Sequence, residues 1–149
     1  MRTLGFAIIV LILPSAVAFS AEWVYVSKDS EENSWYYDHE TVFREGDMIK
    51  VWVQLVAGER RQKELKQAFA GYAAVGTLSY ERWRFEIFCG TNMFRVTCVH
   101  LYDTQGSLWL SENYRTDPFL KAVPGTPISH LVETVCKETT KDAIKGSRP

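Results

Sequence analysis

Between Met48 and Ala57 apolar and polar residues alternate, with Ile49, Val51, Val53 and Leu55 on one side of an extended backbone. That period of two predicts a strand with one face buried. The same period runs through Tyr80–Cys89 and Met93–Asp103, which are separated by Gly90-Thr91-Asn92 and therefore read as a hairpin. Trp83, Phe85, Ile87 and Cys89 form the apolar set of the first strand; Phe94, Val96, Cys98, His100 and Tyr102 form that of the second. A loop with an even number of residues pairs Cys89 with Phe94 and Phe85 with Cys98, and puts both sets on one face. An odd loop sets each against its partner's polar residues, so the even loop is expected. Shorter runs at Trp23–Ser27 and Ser34–Asp38 flank a charged turn and predict an opening hairpin. His39 to Asp47 reads as a polar connection ending in the turn signal Gly46-Asp47, and Ser107–Ser111 as a further strand.

The period changes at Gly58. Leu65, Phe69, Tyr72 and Ala73 are spaced as one helical face, which predicts a helix from Arg61 to Ala74. A second helix is predicted to start at Pro127 with Thr126 as its N-cap, because proline lacks only an N–H that has no intrahelical acceptor there. Its apolar face is Ile128, Leu131, Val132, Val135 and Cys136; from Lys137 the residues turn polar, and 138–149 are expected to form a flexible tail. The resulting pattern is α+β: an antiparallel meander of about six strands with a mid-chain and a C-terminal helix packed on it.

Ahead of this domain, Leu4–Leu13 is apolar, Arg2 supplies a positive charge, and small residues lead up to Glu22. Residues 1–21 are therefore expected to be a secretory signal peptide, cut between Ala18 and Ala21, with a single domain at 22–137. The apolar stretch is shorter than the ~20 residues of a membrane span, so no stable membrane insertion is expected after cleavage. Localisation should be exported, with the periplasm as the first choice and the cell surface or secretion as the alternatives. Without Arg2 the formal charge is 16 Lys+Arg against 18 Asp+Glu, or −2. That balance gives no global field for nucleic acid.

Candidate chemistry is sparse. No nucleophile elbow, P-loop or dinucleotide glycine pattern occurs, the three histidines have no zinc-ligand spacing, and Asp38, Glu40 and Glu45 lack a calcium-loop pattern. Neither a catalytic residue nor a cofactor is expected. The five Trp and seven Tyr read as core. Three cysteines in an exported chain suggest one disulfide and one spare. Cys89 and Cys98 lie about four residues out of register, ~13 Å along the strand, beyond the ~7 Å reach of a bridge. The bridge must then involve Cys136. Cys89, at a strand end, is the favoured partner, and the mid-strand Cys98 the alternative. The charged feature with a plausible partner is Arg60, Arg61, Lys63 and Lys66 on the first helix, to which the hairpin tip at Gly90–Asn92 and neighbouring Arg95 can be added.

Taken in order, Glu22-Trp23-Val24-Tyr25-Val26, Tyr36-Tyr37-Asp38, Lys50-Val51-Trp52-Val53, Trp83 to Cys89, Phe94-Arg95-Val96, Leu101 to Gly106, Val123 to Thr126 and Val135-Cys136 resemble the surface-adhesin protein E family. The resemblance implies an antiparallel sheet with helix packed on it, a Cys89–Cys136 disulfide, and a non-enzymatic binding role. The implied partner is a host matrix or serum protein; the alternative is an envelope component bound by a periplasmic accessory protein. A homodimer is compatible with either. Export is checked by intact-mass measurement of the purified mature protein. The expected N-terminus follows a cut between Ala18 and Ala21, and a mass that still includes Met1 would contradict it.

Overall fold

The alternating segments form one antiparallel sheet. The structure, a computed structural model, describes residues 21–71, 78–114 and 117–145; the segment expected to be a signal peptide lies outside them. The strands are β1 (Trp23–Lys28), β2 (Ser34–Asp38), β3 (Phe43–Glu45), β4 (Met48–Val56), β5 (Leu78–Phe88), β6 (Met93–Asp103), β7 (Leu108–Asn113) and β8 (Leu120–Lys121), with helices α1 (Glu59–Ala68) and α2 (Pro127–Lys145). Strand order is β1-β2-β4-β5-β6-β7, with β3 paired to β4 and β8 to β6. The fold is the α+β meander expected from the pattern.

Four local features differ from the expectation. The connection at 39–47 holds a 3-10 turn at His39–Thr41 and the short strand β3, because Gly46-Asp47 is a two-residue hairpin turn with Gly46 at φ +62 and Glu45 opposite Met48. The chain between β7 and α2 likewise contains β8. Helix α1 begins at Glu59 and ends at Ala68, before Ala74; Tyr72 and Ala73 lie outside the described residues. Helix α2 runs to Lys145, past the point where the tail was expected to begin, and Tyr37 Oη donates to Glu138 Oε1 at 2.5 Å to hold that extension.

The β5–β6 register is also corrected. The loop Cys89–Asn92 has an even number of residues, as expected, yet it closes with Phe88 opposite Met93 and not Cys89 opposite Phe94. Asn92 takes the left-handed conformation at φ +53 that this turn needs, and Cys89, released from the ladder, is free to meet α2. Farther along, Phe85 faces Val96 whereas Arg84 faces Cys98, so Thr97 is an extra residue, a β-bulge whose Oγ1 donates to Arg84 O at 3.2 Å. From there on the side-chain parity of β6 is inverted. Cys98, His100 and Tyr102 therefore lie on the face opposite Phe94 and Val96, against the expectation of one shared face, and Val99 and Leu101 take the core side.

That core side is closed by the helices. Trp35, Tyr37, Ile49, Val51, Val53, Leu55, Phe85, Ile87 and Phe94 pack with Leu131, Val132 and Val135 of α2. Leu65 of α1 joins Leu78 and Leu101 in a smaller cluster, where Phe69 meets Trp109 edge-to-face at 5.0 Å. Each fully buried branched side chain contributes about 1.5–3 kcal/mol relative to exposure. Thr126 Oγ1 accepts from Ser129 N at 3.2 Å, the predicted N-cap of α2.

A polar hub ties the first hairpin to α1. Asp29 Oδ1 accepts from the N–H groups of Glu31 and Asn33, both at 2.9 Å, and its Oδ2 accepts from Asn33 Nδ2 at 3.0 Å and Trp35 Nε1 at 3.1 Å. Asn33 Oδ1 in turn accepts from Gly58 N at 2.8 Å. A Cβ on Gly58 would stand 2.6 Å from Glu31 O, so only glycine allows this approach. Burial raises the Asp29 pKa, but the four hydrogen bonds outweigh it and hold the carboxyl below its ordinary value. A depressed folded-state pKa means stability that is present above the unfolded value and lost as pH falls through the folded one. Asp29→Asn should therefore cost about 1–3 kcal/mol at neutral pH. Denaturant titrations at pH 7 and at pH 3 and below should show the gap to wild type closing on the acid side, below about pH 4.

Candidate functional site

The cations on α1 are less free than the sequence suggests. Arg61 Nε donates to Glu81 Oε1 at 2.9 Å and its Nη2 to Oε2 at 3.3 Å, while Trp83 Nε1 donates to the same Oε2 at 3.0 Å. Glu81 is only 2 % exposed, so Arg61 serves to neutralise a carboxylate inside the sheet–helix junction. Arg60 reaches Glu31 and Glu64, both at 3.2 Å. Lys63 and Lys66 are exposed and make no ion pair among the described residues. Arg95 is not brought to this group. It lies on the other face of the sheet, donates from Nε and Nη2 to Glu86 Oε2 at 2.8 and 2.7 Å, and covers the Phe119 ring at 4.5 Å.

The disulfide joins Cys89 to Cys136, with Sγ atoms 2.05 Å and Cα atoms 5.7 Å apart, and Cys98 is free and buried. The bridge spans a sequence separation of 47 and pins the turn after β5 to α2. On the loop-entropy account a closure of that length stabilises by about 4 kcal/mol.

The other face of the sheet is covered by neither α1 nor α2. Here stand Trp23, Tyr25, Tyr36, Trp52, Tyr80 and Tyr102, half-buried or exposed, so this part of the aromatic complement is not core. Tyr80 stacks on Tyr102 at 4.9 Å, and Trp52 packs on His100 at 5.0 Å. The Arg82 guanidinium lies 4.9 Å from the Trp23 ring, 5.0 Å from Tyr102 and 5.3 Å from Tyr80. A cleft of about 190 Å³ opens among Trp23, Asp38, Trp52, Arg82, His100 and Tyr102. Next to it, one of about 320 Å³ is lined by Lys50, Arg84, Glu86, Arg95 and Thr97.

Within the first cleft, His100 Nε2 is 3.1 Å from Cys98 Sγ and its Nδ1 3.3 Å from Tyr102 Oη. Burial and then the positive charge of Arg82 push the His100 pKa below its ordinary value, which favours the neutral ring. A neutral imidazole donates on one side and accepts on the other, and both sides are used. Asp38 lines the same cleft, but its Oδ1 accepts from Glu40 N at 3.2 Å as the cap of the 3-10 turn. Among the described residues the thiol–imidazole pair thus has no carboxylate bonded to its ring. Among the described residues no group of three or more His, Cys, Asp and Glu is placed to hold a metal ion.

Residues 23–137 match the family model for surface-adhesin protein E. The chain belongs to the surface-adhesin protein E family. Its fold is similar to two solved structures of Haemophilus influenzae protein E. Crystal form II has 11 % sequence identity and a TM-score of 0.54, covering 76 % of this chain and 87 % of that one. The selenomethionine form has 13 % identity and a TM-score of 0.52, covering 76 % and 85 %. No curated protein sequence matches the chain. At these identities the likeness is one of fold.

The open face could have been read from the same alternation that gave the core. The positions between the apolar ones hold Trp52 on β4 and Tyr80 on β5, large aromatic side chains, beside the charged Arg82 and Arg84. Arg61→Ser strands Glu81 and should destabilise the adhesin-family domain by about 3 kcal/mol. Lys63→Ser and Lys66→Ser should stay within about 0.5 kcal/mol of wild type. Thermal or urea melts of the three variants check this.

Proposed function

We propose that the chain is an exported, non-enzymatic binding protein of adhesin type, and that its partner is a host matrix or serum protein. The observation that carries this reading is the sheet face that neither α1 nor α2 covers, rich in aromatic side chains and arginines, on a domain whose other face is sealed by both helices. Buried interface cores favour aromatic residues and arginine over lysine and glutamate. Family membership supports the same class of function. On α1, Arg61 is committed to Glu81, so a contribution from that helix rests on Arg60, Lys63 and Lys66, with Arg95 belonging to the opposite face. Charges at the edge of an interface act mainly on the rate of encounter.

The test is surface-immobilised binding of the mature protein to purified matrix and serum proteins at two salt concentrations, with a variant carrying Arg60→Ser, Lys63→Ser and Lys66→Ser. Binding should weaken with salt, as the ~8 Å screening length at physiological ionic strength requires for exposed charges. The variant should associate several-fold more slowly with little change in dissociation. If no matrix or serum protein binds, and added protease leaves the protein untouched on intact cells, the periplasmic accessory role with an envelope partner replaces this reading.

A further inference from the structure

Arg82 is held by its neighbours on the sheet. Three aromatic rings surround its guanidinium, and its Nε donates to Gln54 Oε1 at 3.2 Å, yet no ion pair or other hydrogen bond reaches its terminal amino groups among the described residues. An arginine so fixed has already lost the side-chain freedom that binding would otherwise remove, and presents a rigid fork suited to two oxygens of one carboxylate. Asp38 shares the cleft but caps the 3-10 turn and is 6 % exposed. Arg84 is the second such cation. It is exposed, its guanidinium stands 6.0 Å from the Trp52 ring, and it too has no ion pair among the described residues. Around it, Glu86 is matched by Arg95 and Lys50 by Glu45 at 2.7 Å. Arg82 in the first cleft and Arg84 in the second are thus each without a carboxylate partner among the described residues.

The spacing of these two arginines says what fits. Residues two apart on a strand project from one face about 6.8 Å apart, and an extended peptide repeats the same distance between its own alternate side chains. A strand-like segment laid over a sheet also runs within roughly 30° of the strands beneath it. We propose that the open face takes an extended acidic segment of a protein partner, with carboxylates at alternate positions: one on Arg82 between Trp23, Trp52 and Tyr102, the next on Arg84 beside Lys50 and Arg95. This rests on the binding-protein reading above and names the partner's chemistry.

The probe is a fluorescein-labelled peptide of alternating Glu and Thr, titrated by anisotropy against mature wild type, Arg82→Gln, Arg84→Gln and, as a control on the far side, Lys137→Gln. An alternating Lys and Thr peptide and a sulfated heparin fragment are run beside it. Circular dichroism and thermal melts establish that each variant is folded; Arg84 is exposed, so its variant keeps the test valid if Arg82→Gln unfolds. The acidic peptide should bind wild type and Lys137→Gln alike, weaken with salt, and lose about tenfold or more in affinity with Arg84→Gln, the loss of a hydrogen bond to a charged group. The basic peptide should not bind. Equal binding by wild type and Arg84→Gln, or heparin binding without peptide binding, overturns the assignment. If matrix or serum proteins bind wild type and both arginine variants alike, the open-face assignment falls while the binding-protein reading stands; if they bind none, both fall.

Discussion

The two faces of the sheet are kept distinct by one residue out of step. Thr97 adds a position to β6 that β5 does not match, and everything after it is turned over. Without that shift, His100 and Tyr102 would be driven under the helices and Val99 and Leu101 out to water. A one-residue slip exchanges the faces wherever a period of two is read; at Thr97 it falls in the middle of β6 and lets that strand contribute Phe94 to one cluster and Leu101 to another on the same side. Both the core under α1 and the aromatic row on the far side depend on it.

This explains which parts of the molecule were legible in the sequence. The alternation of Ile49, Val51, Val53 and Leu55 is uninterrupted, and that strand was found with its buried face. Thr126-Pro127 marked the start of α2 because capping chemistry is local. The β6 parity was not legible, since Phe94, Val96, Cys98, His100 and Tyr102 keep a flawless period of two across a bulge that the pattern itself does not register. The basic helix was found as a helix, but Arg61 looked like solvated charge because its partner, Glu81, is twenty positions away and reached only through the fold. Cys136 as a bridge partner followed from strand geometry, and the structure joins it to Cys89.

The buried Arg61–Glu81 pair has a cost as well as a use. Desolvating Glu81 is unfavourable, and the arginine and the Trp83 indole N–H offset that penalty without turning it into a large gain. What the pair does secure is orientation: it fixes α1 against β5 at one register, next to the Asn33–Gly58 contact that fixes where the helix begins. The helix is thus anchored by polar geometry at its first turns and by Leu65 farther along, with little apolar surface of its own.

The roof of the main core is the last element of the domain in chain order. Leu131, Val132 and Val135 follow β1 to β8 in chain order, so while the chain emerges N-terminus first the sheet's apolar side, with Tyr37, Phe85 and Ile87 at its centre, has nothing to rest on until α2 arrives. A nascent chain in that state is a natural client for a holding chaperone, and a transcript truncated before Pro127 would yield a sticky product rather than a smaller working one.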